Sequence, residues 1–383
     1  MDKEFILKKL NEKIKKNIIA IGEQLGEYGE AKDGMYFDKK EKLIPLSHIY
    51  NWTQSFYTGC AFWSYRLTGD EELLKWMYSF YDSYYKKVFD TPMDTMHDLG
   101  FLYTPYAVAL YKLTGDPNMK KIGIKAADEL AKRYIPSAKA IQAWGRMDEK
   151  IPEYISPELR NDVFFSANKG RVIVDSMMNI PLLFWASEAS GNLFYRRIAE
   201  NHADTILKYF IREDNSLCHA FIFDTETGDV LEEANSCGYA NGSHWARGTG
   251  WAIYGFALAY SYTKKEEYLD ASIRLCEKFI SECKGDIPIW DFRLPASEEA
   301  SIDTSAVAIV LCAILEISKH KQIQLLEDFA ITFEDKLLNY VNTDSNVHGI
   351  LNEQSGRHLY ASYGDYYLME YLSVKKLNCK NIW

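Results

Sequence analysis

Apolar residues in this chain come in two kinds of run, and the two alternate. One kind is apolar on nearly every side: residues 53–67, 98–113, 179–189, 245–260, 304–317 and 366–374. The other keeps Lys, Glu and Arg along one face, as in 116–134, 193–210 and 266–280. A helix apolar all round belongs in an interior, and one with a charged face lies against water. Short polar turns join them, as in "YRLTGDEELLKW" from Tyr65, "YKLTGDPNMKKI" from Tyr111 and "SEASGNLFYRRIA" from Ser187. Glycine just past the last apolar residue stops a helix, and Asp or Asn beside it starts the next. Each unit reads as an αα-hairpin. With 5–21 placed before the first, six inner and six outer helices alternate. The pattern predicts an all-α chain closed as an (α/α)6 barrel, one domain over 1–383. The alternative, an open solenoid, usually repeats faster than the roughly 45 to 75 residues seen here. One stretch, "FIFDTETGDVL" from Phe221 to Leu231, reads as a small β-hairpin insertion.

Composition narrows the function. Of 383 residues, 47% are hydrophobic and 26% charged, which is ordinary for a soluble globular chain. No apolar run reaches the length of a membrane span. The start, "MDKEFILKKLNEKIKKN", is amphipathic and lacks the apolar centre of a secretory signal. Seven scattered cysteines read as reduced thiols of a cytoplasmic protein. The net charge of −10 speaks against nucleic acid as a partner. An anionic small substrate stays open, because a few local cations reverse the field inside a cleft. No metal or cofactor is expected. The eight histidines form no HxxxH or HExxH pair, and Cys218–His219 lacks partners at zinc spacing. Walker, GxGxxG and GxSxG motifs are absent.

In an alternating barrel the inner helices run the same way, so their N-termini share one mouth. Trp52 precedes the first inner run, His97 and Asp98 the second, and Asp175 the third. Ser243, Arg247 and Trp251 open the fourth, Asp303 the fifth, and Asp365 with Tyr366 the sixth. Asp98, Asp303 and Asp365 sit where an N-cap belongs, worth about 1 kcal/mol. Capping accounts best for Asp303; for Asp365 capping and function stay level. Asp175 differs, following "VIV" and preceding "SMMNIPLLFWA". Pro181 suits the first turn of a helix begun at Asn179, which leaves Asp175 in the approach, inside an apolar mouth. A carboxylate there must neutralise or find a hydrogen bond, which favours chemistry over a structural role. Arg247 either pairs with a structural Asp or binds a substrate carboxylate. Trp52 and Trp251 are either core or stacking surface for a sugar.

Six segments, "HDLGF", "RVIVDSMMNIPLLFWA", "HAFIFDTETGDV", "SHWARGTGWAIYG", "WDF" with "DTSA", and "YGDYYLMEYL", occur in an order that resembles glycoside hydrolase family 88, the unsaturated glucuronyl hydrolases. The resemblance runs from Trp52 to about Leu372. It implies an (α/α)6 barrel and an unsaturated uronic-acid-containing oligosaccharide as substrate. Asp175 would be the catalytic acid and base, and Asp98 the second essential carboxylate, bonded to sugar hydroxyls. His97, His219, Arg247, Trp52 and Trp251 would line the pocket, with Trp144 of "IQAWG" approaching the sugar and Tyr366 a further candidate contact. That chemistry needs a carboxylic acid still protonated near the working pH, and it predicts a mildly acidic optimum.

Two positions depart from the family pattern. Cys237 stands before Gly238 where the family commonly has Gln, and "RGTGW", with Thr249, replaces "RGQAW". The second leans toward family 105, the unsaturated rhamnogalacturonyl hydrolases, while "HDLGF" pulls back to family 88. A non-catalytic sugar-binding protein on the same barrel is the remaining alternative. The stretch from Gly145 to Lys169 also looks longer than usual, a change at the entrance.

Overall fold

The computed structural model describes residues 3–23, 26, 30–36, 44–157, 160 and 168–383. The inner helical segments are Gln54–Thr68, Leu99–Tyr103 with Ala109–Thr114, Pro181–Ser190, Ala246–Thr263, Thr304–Ser318 and Ser362–Leu377. Each packs on the next, and the last packs on the first. That closure distinguishes a barrel from an open solenoid. Around them run Lys3–Ile21, Glu71–Tyr78 with Tyr81–Phe89, Pro117–Ala131, Leu193–Tyr209, Glu266–Cys283 and Gln324–Leu338. Thr304–Ser318 is buried almost throughout, whereas Glu266–Cys283 buries one face through Leu269, Leu275 and Phe279. Among the described residues no helix is long and apolar enough to cross a membrane.

The repeated turn works as its sequence dictates. Gly69, Gly115 and Gly191 end three inner helices in the left-handed region, at φ of 69°, 73° and 77°. L-residues with a Cβ resist that conformation. Asp70, Asp116 and Asn192 then cap the outer helices, each accepting a backbone N–H two residues on.

Four local details depart from the expected pattern. The second inner helix changes to a π turn over Thr104–Val108, where Pro105 has no N–H for a regular α ladder. The outer helix after "LTGD" is split in two at Phe80. The sixth inner helix begins at Ser362, so Asp365 and Tyr366 lie within it rather than before it. The insertion is also more than a hairpin. Ala220–Phe223 pairs antiparallel with Val230–Ala234 on one side and with Arg171–Ile173 on the other. The third strand runs directly into a 3-10 turn, Val174–Met178, which carries Asp175. Part of the long stretch 145–169 lies outside the described residues.

Candidate active site

The six helix starts meet in pairs. Trp52, before the first, stacks on Tyr363 of the sixth at 5.5 Å between centroids. His97, before the second, shares a hydrogen bond of 2.7 Å between Nδ1 and Ser176 Oγ, before the third. Arg247 of the fourth joins Asp303 at the fifth, Nη1 to Oδ2, at 2.7 Å.

Asp98 makes no cap hydrogen bond for its helix. Its Oδ1 lies 3.3 Å from His97 Nε2. Burial pushes the Asp98 carboxyl up to about 8, and the neighbouring Asp175 charge pushes the same way against the pull of Arg133 and Lys87. Burial, with Arg133 next, holds the His97 imidazole well below its usual range, so it is neutral.

Asp175 sits half-buried on its 3-10 turn. Its Oδ2 faces His219 Nε2 at 3.7 Å. Both atoms are enclosed, and neither has a hydrogen-bond partner among the described residues. Buried polar atoms are normally paired, and these two face one another within ion-pair distance. Burial opposes charge on His219 while Cys237 and Asp175 favour it, but its Nδ1 is occupied as an acceptor, so the ring is a neutral imidazole whose proton sits on Nε2, facing Asp175. His219 Nδ1 accepts the Ser236 N–H at 3.1 Å. The Trp144 ring lies 6.4 Å from His219 and carries the Arg171 guanidinium at 5.6 Å on the ring.

Beside this pair opens a cleft of about 800 Å³ lined by Trp52, Arg247, Trp245, Tyr363 and Cys237 among others. The two carboxylates are not part of its lining. Trp245 bridges the gap, with its ring 5.3 Å from His219 and the Arg247 guanidinium 4.8 Å over it. Arg247 is also sandwiched against Tyr363 at 4.8 Å.

Several expectations are corrected. Trp251 and Tyr366 are fully enclosed. Trp251 packs on Phe101 and Tyr367, and the Tyr366 hydroxyl is bonded to Glu370, so neither presents surface to a sugar. Asp365 neither caps nor faces the cleft. It accepts the N–H groups of Ile350 and Leu351 and the Tyr36 hydroxyl. Asp303 does cap, through Ser305 N, and holds Arg247 with its other oxygen. Arg247 therefore has the structural partner that was one of its two readings.

Three residues that sequence reasoning missed tie the site together. Ser176 bonds His97, as above. Asn179 Oδ1 accepts the Phe101 N–H at 2.8 Å while its amide reaches Asp175 O at 3.2 Å. Arg133 is buried and donates to the carbonyls of Thr95, Gln142, Ala143, Trp144 and Gly145 at 2.8–3.1 Å. It thereby holds the loop before His97 and the loop carrying Trp144. Nothing in "LAKRYIPSA" distinguishes Arg133 from a surface cation. Arg133→Met should lower stability by on the order of 3 kcal/mol, because several buried carbonyls lose their donor. A urea midpoint unchanged from wild type would contradict this anchoring role.

Comparison with known proteins follows the same lines. Residues 30–367 match the model of Glycosyl Hydrolase Family 88. An unsaturated chondroitin disaccharide hydrolase of Streptococcus pyogenes serotype M1 is 34% identical over 349 residues, covering 87% of this chain and 83% of that protein. The crystal structure of the unsaturated glucuronyl hydrolase from Bacillus sp. GL1 superposes with a TM-score of 0.85 at 28% identity, over 100% of this chain and 99% of that one. A mutant unsaturated glucuronyl hydrolase from Streptococcus agalactiae, complexed with dGlcA-GalNAc6S, superposes at 0.79 with 26% identity, over 100% and 93%.

Proposed function

The chain belongs to glycoside hydrolase family 88, and on that premise we propose that it is an unsaturated glucuronyl hydrolase, with Asp175 and Asp98 as its working carboxylates. It releases the 4,5-unsaturated uronic acid from the non-reducing end of lyase-generated oligosaccharides. The chain acts as one catalytic domain, and its scattered cysteines suit the cytoplasm. The observation that carries the site assignment is the facing pair of orphaned atoms, Asp175 Oδ2 and His219 Nε2, beside a carboxyl pushed up to about 8.

The substrate's C4=C5 bond is a vinyl ether, because C5 bears the ring oxygen. Asp175 gives a proton to C4, and positive charge spreads over C5 and the ring oxygen. Asp175, now ionised, takes a proton from water as that water adds at C5. The hemiketal collapses, the ring opens and the glycosidic bond breaks. The acid ends the cycle as it began. Ordinary glycosidases instead work at the anomeric carbon with both carboxylates. Burial, reinforced by the Asp175 charge, pushes the Asp98 carboxyl up to about 8, so Asp98 keeps its proton through neutral pH. Asp98 holds sugar hydroxyls, neutral His97 keeps it in place, and Arg247 with Trp52 faces the uronate from the cleft.

The Asp98 proton leaves as pH rises through about 8. Above that value kcat/KM should fall about tenfold per pH unit, which moves the expected optimum from mildly acidic toward neutral. A profile measured from pH 5 to 10 that stays flat past 9 would exclude a role for the Asp98 proton. The activity itself is read from loss of the ultraviolet band of the C4=C5 bond. If fragments of chondroitin, hyaluronan, heparin, gellan, xanthan and rhamnogalacturonan all keep their band, the enzyme reading fails. Clearance of the rhamnogalacturonan fragment alone would assign the family 105 activity.

A further inference from the structure

The "WDF" segment, Trp290 to Phe292, has no part in the chemistry above, yet it builds the outer wall of the cleft. Asp291 is fully buried and accepts three backbone N–H groups, from Tyr239 at 2.9 Å, His244 at 3.1 Å and Arg293 at 3.0 Å. It so fastens the Tyr239 loop to the wall. Trp290 is held through its backbone, donating N–H to Ser301 O and accepting from Ala246 N, both at 3.0 Å. Its indole is half-buried and lines the same cleft as Arg247, Trp52 and Tyr363. Gly356, at φ of 66°, covers part of the ring so closely that a Cβ there would lie 2.3 Å from the indole Cγ. Gly356 lines the cleft as well, so this backbone and the indole form one packed stretch of its wall.

A rigid, half-exposed indole costs little entropy to order, which favours it as a binding platform. The cleft, at about 800 Å³, has room for more than the uronate ring alone. We propose that Trp290 is the stacking platform of an aglycone subsite, taking the apolar C–H face of the pyranose ring attached to the unsaturated uronate. This rests on the hydrolase reading above. Stacking of this kind recognises a ring face rather than a charge, so it applies to neutral and N-acetylated sugars alike.

The test compares an unsaturated disaccharide with the methyl glycoside of the same unsaturated uronate, which has no aglycone ring. Trp290→Ala should raise KM for the disaccharide about tenfold, with kcat nearly unchanged and the methyl glycoside unaffected. Trp290→Phe should recover most of the loss, since a smaller ring still stacks. Equal losses on both substrates, or no loss on the disaccharide, would overturn the platform. If Trp290→Ala fails to fold by circular dichroism, Trp290→Phe and Trp290→Leu replace it. Leucine keeps apolar bulk without a ring, so equal KM values for those two would also overturn it. A wild type that processes neither substrate refutes the hydrolase reading instead. In that case isothermal titration with the disaccharide decides the platform, and binding unaltered by Trp290→Leu rejects it.

Discussion

Asp175→Asn should reduce kcat on unsaturated disaccharides by about 10³- to 10⁴-fold, at the upper end of what one acid–base group contributes. The substitution keeps the shape of the side chain and removes its proton chemistry. In the proposed mechanism both half-reactions depend on it, protonation at C4 and deprotonation of the attacking water. The effect should therefore appear in kcat more than in KM, because the groups that hold the sugar remain. Thermal stability should change little. Asp175 is half-buried, and His219 stands 3.7 Å from it without a hydrogen bond. The measurement is the rate of loss of the ultraviolet band under saturating substrate. Equal rates in wild type and variant would remove Asp175 from the mechanism.

Asp98→Asn should act on activity and stability in opposite directions. Turnover should fall by at least about 10²-fold, since the proposed site loses a carboxyl that is protonated at neutral pH and holds the sugar hydroxyls. Stability should rise, and the rise should depend on pH. Burial, reinforced by Asp175, lifts the folded-state pKa of Asp98 from 3.8 to about 8. A raised carboxyl stabilises the folded state fully below its unfolded value and loses that contribution as pH climbs through the folded one. Wild type therefore weakens between about pH 4 and pH 8, while the uncharged amide does not. The gap at pH 8 is on the order of a few kcal/mol. Urea unfolding at pH 4, 6 and 8 reads it directly. A gap between variant and wild type that is constant across these pH values would show that Asp98 does not carry the proton. The same experiment also distinguishes a functional Asp98 from a cap, because a lost cap destabilises at every pH where the carboxylate is ionised.

The alternation of helices was open to reading because its causes are local. A 3.6-residue period, a glycine stop and an Asp or Asn start act within a few residues of one another, as Gly69–Asp70 and Gly115–Asp116 do. From alternation follow a common mouth and the set of candidates around it. Asp98, Asp175, His97 and Arg247 were visible as ionisable groups inside apolar runs. Trp52 and Trp251 looked alike by that measure, and only packing parted them, one onto the cleft and one beneath it. Arg133 was hidden because its five acceptors are backbone carbonyls, which leave no mark in a side-chain pattern.

By itself, then, the sequence determined the helical units, their order and the end of the barrel where the candidate site residues gather. Tertiary structure decided which carboxyl is pushed up, which oxygens stand unpaired and which aromatic rings a sugar can reach. The reason is range. Capping and periodicity depend on neighbours along the chain. The proton on Asp98 depends on burial and on charges at Asp175, Arg133 and Lys87, which become its neighbours only once the ring of helices has closed.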